Sequence, residues 1–393
     1  WDAIKQPLWT RTYLLVCAVN LANAMNFYLL MVVVAAFSVD TWRVDAGVAG
    51  VATSIFVVGA LASRAFVGKV MGHCGYKNTM LLGMAVNAIA SVSYLFVPSI
   101  GLLIAARLVH GLGFGMVTSA APAIVAGVVP NERLGEGMGY FSLAGPIAAG
   151  IGPFVAMLLV QDGGYLLLFV LCALIMLIVL ALIALLRIPR IELSPQDRED
   201  LRGFKLKSII EVPVVPVSLV ALLMYSCYGG IVSFLALFLR ELGLADYASL
   251  FFVVYAVVVL LSRPFAGRLF DARGASPLII PALLILAAGF TLFSQTQDLW
   301  MLAAAAVMVG LGVGAVQTAT LAVVAKITPP SRRGIGTTTY YLMSDVGYSL
   351  GPLLAGLSIP LLGYRGMFLA LGLLTLGNFA YYFLYQRGRM GSG

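Results

Sequence analysis

Ser63–Lys77 reads SRAFVGKVMGHCGYK, and Ser262–Ser276 reads SRPFAGRLFDARGAS. The second stretch is the first displaced by 199 residues (262 − 63): Ser63-Arg64 returns as Ser262-Arg263, Gly68 as Gly267 and Gly75 as Gly274. Outward from there the register holds. Gly111, Gly113 and Gly115 return as Gly310, Gly312 and Gly314, and Pro130, Arg133, Gly135 and Gly137 as Pro329, Arg332, Gly334 and Gly336. Gly152-Pro153 returns as Gly351-Pro352, and Gly164-Tyr165 as Gly363-Tyr364. Both copies are strongly apolar. A duplicated membrane domain is the usual build of a secondary transporter, with the substrate site expected between the halves.

Composition fixes the solvent. The chain is 61% hydrophobic and 10% charged, with mean hydropathy +1.02. Its apolar runs repeatedly exceed the roughly 18–20 residues that span a bilayer. Twelve are expected: Tyr13–Phe37, Ala46–Val70, Thr79–Val97, Leu102–Val129, Gly137–Val160, Tyr165–Leu186, Pro213–Leu239, Ala248–Phe270, Pro277–Phe293, Leu299–Ala325, Thr337–Leu362 and Gly366–Tyr385. Helices are expected because lipid offers the backbone no hydrogen-bond partner, and the period-2 alternation of a large barrel is missing. The fold class is therefore an all-α integral membrane protein, with twelve transmembrane helices in two six-helix, pseudo-symmetric bundles. Residues 1–188 form the first bundle, 189–212 a cytoplasmic linker and 213–393 the second bundle.

A net charge of +8 raises the question of nucleic acid, and its distribution answers it. Arg43, Arg240 and Arg365 fall on one side of this topology and Arg107 lies within a helix; the remaining 20 of 24 Lys and Arg fall on the other side. That asymmetry is the positive-inside pattern. It places both termini in the cytoplasm of a multi-pass protein of the cell's inner membrane, and it orients the chain rather than binding nucleic acid. Cys17, Cys74, Cys172 and Cys227 have no metal-site spacing and imply no disulfide framework. The longest polar stretch, PRIELSPQDREDLRGFKLKSIIE at 189–211, suits a solvated linker with a short surface helix. No Gly-rich loop followed by Lys-Ser/Thr is present, which argues against ATP as the energy source. There is no HExxH and no paired carboxylates, so an enzyme is not expected.

At three motifs the chain resembles the major facilitator superfamily, specifically its twelve-helix drug/proton antiporter branch. The resemblance covers essentially the whole chain. In that family the loop between helices 2 and 3 reads approximately G-x-x-x-D-R-x-G-R-R and latches the cytoplasmic gate. The second copy here is the better match, with Gly267, Arg268, Asp271, Arg273 and Gly274; the first copy keeps Gly68, Gly75 and Lys77 but has Gly72 in place of the acid. Arg107-Leu108-Val109-His110-Gly111-Leu112-Gly113 is similar to R-x-x-Q-G-x-G in helix 4, with His110 in the Gln position. Gly145-Pro146-Ile147-Ala148-Ala149-Gly150-Ile151-Gly152-Pro153 is similar to the Gly/Pro-rich antiporter motif of helix 5. Packing alone also explains Gly145, Gly150 and Gly152, since small residues let helices approach closely.

The repeat supplies its own control, because intramembrane polar residues found in one half only are candidates for function. Arg107 maps onto Ala306, His110 onto Val309, and Asp345 onto Pro146. Asp345 is the only acid deep in any expected helix. An ionised side chain there costs roughly 2.5–3.5 kcal/mol on insertion scales, so it must be paired, protonated or wet. Asp345 is the leading proton-coupling candidate, against an acid locked to Arg, Tyr or backbone donors. Arg107 and His110, three apart, share a helix face. Arg107 can pair an acid or an anionic substrate but cannot carry the proton, while His110 titrates in a convenient range or is simply a packed, hydrogen-bonded residue. Glu136 opens helix 5, where it caps the helix or serves the gate. Arg64 and Arg263, matched in both halves, are expected to snorkel or brace loops.

The resemblance implies a central cavity lined by helices 1, 4, 7 and 10, with 5, 8 and 11 beside them. Those helices offer Asn20, Asn23, Phe27, Tyr225, Tyr228, Tyr255, Gln317, Thr318, Tyr341, Ser344, Asp345 and Tyr348. Aromatic faces, neutral polar groups and few charges suit a small amphiphilic organic substrate. The expected function is proton-coupled export by alternating access, with protons and one small molecule as partners, no cofactor beyond the proton gradient, and a monomer in the bilayer. The alternatives are uptake of a polar metabolite such as a sugar or organic acid, lipid translocation, and a transporter-like sensor that moves nothing.

Overall fold

A computed structural model describes residues 7–130, 133, 137, 140, 141, 143–185, 210–328 and 333–390. Among the described residues there are nine continuous α-helices and no strands. They are α1 (Arg11–Trp42), α2 (Ala46–Ser93), α3 (Ile100–Val128), α4 (Ala144–Leu185), α5 (Val215–Glu241), α6 (Ala248–Arg273), α7 (Ser276–Ser294), α8 (Leu299–Ile327) and α9 (Arg333–Met390).

Three helices each contain one residue of non-helical backbone: Gly75 in α2 (φ 80°), Gly164 in α4 (φ 69°) and Gly363 in α9 (φ 66°). These glycines divide α2, α4 and α9 into two arms each, so the nine helices give twelve straight segments. The loop expected around Gly75 is therefore a one-residue break. Left-handed backbone costs a residue with a Cβ about 1–2 kcal/mol and glycine almost nothing, so the chain reverses there without a longer connection. The repeat is visible in these angles. Gly274, which ends α6, has φ 81° against 80° at Gly75, and Gly363 has 66° against 69° at Gly164. Ten described stretches are long and apolar enough to cross a membrane, the 51-residue Ile335–Tyr385 stretch is long enough for two once broken at Gly363, and Ile147–Gln161 is a shorter apolar helix.

The same offset governs helix ends. Ser99 caps α3 by accepting from the Leu102 N–H, and Asp298 caps α8 by accepting from the Met301 N–H at 2.9 Å. Loss of such a cap costs roughly 1 kcal/mol. Asp298→Ala is expected to lower the thermal unfolding midpoint in detergent by a few degrees, and an unchanged midpoint refutes the capping role.

The exterior is apolar, as lipid requires. Trp300 and Leu361 are more than four-fifths exposed, and Leu185, Phe96, Leu260 and Phe265 are also bare. Two compact units comprise the described residues of 1–33 with 55–204, and of 34–54 with 205–393. In the second unit, Arg240 donates both guanidinium nitrogens to Asp40, at 2.6 and 2.8 Å. Residues 34–54 lie close against α9: a Cβ on Gly50 would strike the Pro352 carbonyl. α5 and α9 approach as closely, since a Cβ on Gly347 would meet the backbone of Leu222. Arg365 donates to the Ser294 and Thr296 carbonyls at 2.7 and 2.8 Å, satisfying the end of α7. The Glu211 N–H donates to Thr339 Oγ1 at 2.9 Å, pinning the described end of the linker to α9. The rest of the linker expected at 189–212 lies outside the described residues.

Candidate functional site

The first unit buries its charge beside aromatic rings. α3 carries Arg107, His110 and Phe114 on one face, and all three are buried. The Arg107 guanidinium carbon lies 4.7 Å from the centroid of the Phe56 ring on α2. His110 meets the same ring edge-to-face at 5.2 Å, and its Nδ1 pairs with the Tyr94 hydroxyl at 3.0 Å. Tyr94 also interacts with Arg107. Phe27 on α1 extends the stack, with ring centroids 5.0 Å from Phe56 and 5.4 Å from Phe114. Guanidinium over an aromatic face is an attraction that strengthens when water is excluded, and Arg107 is fully buried.

Asn20 and Asn23, grouped with Phe27 from sequence as cavity residues, are turned to other partners. Asn20 donates to the Phe141 carbonyl at 3.2 Å. Asn23, buried, accepts from Asn87 Nδ2 at 2.7 Å, and one turn along Asn26 donates to Ser91 at 2.9 Å. This polar ladder ties α1 to the second arm of α2. Interhelical bonds of this kind are worth about 0.6 kcal/mol each on average within a membrane.

The second unit has a different character. Tyr228 on α5 stacks on Tyr255 of α6, with centroids 4.7 Å apart, and Tyr348 of α9 approaches Tyr228 at 5.8 Å and Tyr225 at 6.3 Å. The four rings come from three helices and are buried against one another. Further along, Arg263 Nη2 donates to Gln317 Oε1 at 3.0 Å, joining α6 to α8. Tyr340 pairs with Thr320 at 3.0 Å, and its ring lies 5.5 Å from that of Tyr341. Tyr341 is within electrostatic reach of both Arg263 and Asp345. Ser344 donates to the Tyr340 carbonyl at 2.9 Å and Thr318 to the Gly314 carbonyl at 2.7 Å, so both hydroxyls serve their own helices. Asp345, Tyr341, Gln317 and Arg263 are each half-buried.

Arg263 corrects the expectation from sequence. It sits inside the bundle on Gln317 rather than bracing a loop. Its signal was present: an intramembrane cation, at the same distance from its helix end as Gln317 is from its own. Tyr94, Cys172, Asn87 and Ser91 were not singled out as site residues. Tyr94 and Cys172 feel the Arg107 charge, and nothing in local spacing announces contacts made across helices.

Of the loop motif, Gly75 and Gly274 are the left-handed breaks described above, Gly68 and Gly267 are half-buried, Arg268 and Arg273 are exposed, and Lys77 opens the second arm of α2. Arg273 stands in the last turn of α6, where a cation suits the helix dipole. The Asp271 and Pro146 side chains and all of Glu136 lie outside the described residues. In the antiporter-like stretch, a Cβ on Gly152 would come within 2.8 Å of Tyr28 Cβ, whereas one on Gly145 would meet open space. Gly150 is half-buried and Pro153 buried within α4. Among the described residues, no three His, Cys, Asp or Glu side chains cluster as metal ligands.

Comparison with known proteins gives a consistent result. The sequence model of the Major Facilitator Superfamily matches residues 16–271 and 245–391. A staphylopine export protein of Staphylococcus aureus is 20% identical over 84% of this chain and 85% of its own length. The multidrug resistance protein MdtG of Dickeya zeae is 27% identical over 86% of this chain and 84% of its own. Among solved structures, a bacterial homologue of the human lysosomal transporter Spinster superposes with TM-score 0.82 at 16% identity, covering 97% of this chain and 98% of that one. The nucleoside transporter NupG gives TM-score 0.73 at 14% identity, over 95% and 99%.

Proposed function

The chain belongs to the major facilitator superfamily, and we propose that it is a proton-coupled exporter of a small amphiphilic organic compound, working by alternating access. Membrane transport follows from the family. Direction, coupling and substrate are this proposal. The observation that carries it is Asp345: a half-buried acid, 12 residues into α9 (345 − 333), where the other repeat has Pro146. At 1.5 Å per residue that is about 18 Å from the helix end, well inside a hydrocarbon layer roughly 30 Å thick. An acid held there is functional by default. Relatives named for multidrug resistance and for staphylopine export support the outward direction.

In this reading Asp345 takes up a proton from one side and releases it to the other. It does so because the two conformations bind the charged and neutral carboxyl differently; without that difference, protonation biases nothing. The tyrosine cluster supplies flat apolar surface with polar edges, and Arg107 holds a fixed charge in the first unit. The protein works as a monomer in the cell's inner membrane with both termini cytoplasmic, on the proton gradient alone.

The test uses purified protein in liposomes containing a pH-sensitive dye, with lipophilic cations, organic anions and sugars added in turn across an imposed pH gradient. Proton flux evoked by a compound and opposite to its movement is the expected result. Proton movement together with a sugar or acid replaces export with uptake. Silence toward every compound, from protein shown to be folded, removes the reading.

A further inference from the structure

We infer that Arg263, held by Gln317, is the anion-recognising group of the second unit, so that the transported molecule carries an anionic carboxylate or phosphate. This rests on the proposed export reading and adds the charge of its substrate.

The first observation is depth. Arg263 lies 10 residues from the end of α6 (273 − 263), Gln317 10 from the end of α8 (327 − 317) and Asp345 12 from the start of α9 (345 − 333). These three ends all belong to one side of a chain that alternates direction, so the side chains occupy one layer about 15–18 Å deep. A cation that deep is a functional candidate.

The second observation is the state of the guanidinium. It has five N–H donors in a planar fork, and its hydrogen bond among the described residues goes to a neutral amide, Gln317 Oε1 at 3.0 Å. The side chain is half-buried rather than sealed, which leaves donors open to a ligand. A planar fork of this kind matches the two oxygens of a carboxylate or phosphate.

The third is the internal control. Arg64 is the same arginine in the first repeat. At the matched positions the first repeat has Phe56, Thr118, Phe141, Ser142 and Pro146 where the second has Tyr255, Gln317, Tyr340, Tyr341 and Asp345. The Arg263 charge reaches Tyr255, Tyr340 and Tyr341. The arginine is common to both halves, and only the second repeat carries an amide, three phenols and an acid at these positions. A snorkelling residue needs no such company.

The test is a binding measurement without a proton gradient, so its failure is separate from failure of proton-coupled export. The probes are rhodamine 123, a cationic methyl ester, and rhodamine 110, its free acid, titrated by fluorescence polarisation against purified wild type, R263K, R263Q and Q317L. Wild type is expected to bind the acid about tenfold or more tighter than the ester. R263Q erases that preference by weakening the acid alone, and R263K and Q317L, which keep the charge, retain part of it. Should R263Q not fold, these two variants decide the matter.

Absence of a preference in wild type overturns the inference. So does equal weakening of both dyes by the variants, which marks a packing role, or intact selectivity with an altered pH profile, which makes Arg263 the counter-charge of Asp345. Phosphatidylglycerol offers the same oxygen pair. If it displaces the acid dye from wild type but not from R263K, the site belongs to a lipid headgroup and the substrate version is overturned.

Discussion

Asp345→Asn is expected to abolish pH-gradient-driven transport, lowering accumulation at least tenfold and on the order of a hundredfold where coupling is tight. Binding of the same compound in the absence of a gradient stays within a few-fold, unless the compound depends on the carboxylate charge. The substitution is nearly isosteric and keeps the side chain polar, so the fold is retained. It fails only in exchanging a proton. The check is accumulation in liposomes with and without an imposed gradient, alongside a melting curve. A variant that still couples transport to the gradient makes Asp345 structural, held by its neighbours on α9 for stability alone, and the proposed mechanism goes with it.

The second large effect is expected at Arg107. Arg107→Lys keeps one positive charge but replaces a flat, weakly hydrated fork with a compact, strongly hydrated ammonium. The fork lies on the Phe56 ring at 4.7 Å while also serving Tyr94, and an ammonium does not do both. Breaking a buried charge arrangement commonly costs about 3–5 kcal/mol, and the fully buried position of Arg107 leaves no route to water. Transport is expected to fall at least tenfold, with a lower unfolding midpoint. Arg107→Met, which removes the charge, separates the two contributions. A Met variant as stable as wild type but inactive assigns Arg107 to transport. A Lys variant with unchanged activity reduces it to a packing residue.

Much of this was legible before any coordinate. Run length and hydropathy are local properties, and the bilayer turns them directly into helices, because a backbone in hydrocarbon must bond to itself. The offset of 199 residues marked the positions where the backbone turns: Gly75 and Gly274, Gly164 and Gly363 share their left-handed angles pair by pair, and Ser99 and Asp298 share their capping role. Substitution between the halves also singled out Arg107, His110 and Asp345 by chemistry alone.

The sequence did not tell which polar side chains meet. Asn23 and Phe27 share a helical face in the linear reading, yet Asn23 is bonded to Asn87 while Phe27 joins Phe56 and Phe114. Arg64 and Arg263 look alike in the repeat, yet Arg263 is held by Gln317, 54 residues away, a position that is Thr118 in the first half. Spacing along one helix fixes the direction of a side chain to within a turn, but its partner is set by how far neighbouring helices slide and rotate, which depends on every small residue in the seam. The bilayer and the repeat thus determined the helices, their ends and the candidate charges from the sequence itself. The pairing of those charges across helices, Arg107 on Phe56 and Arg263 on Gln317, was decided only by tertiary packing.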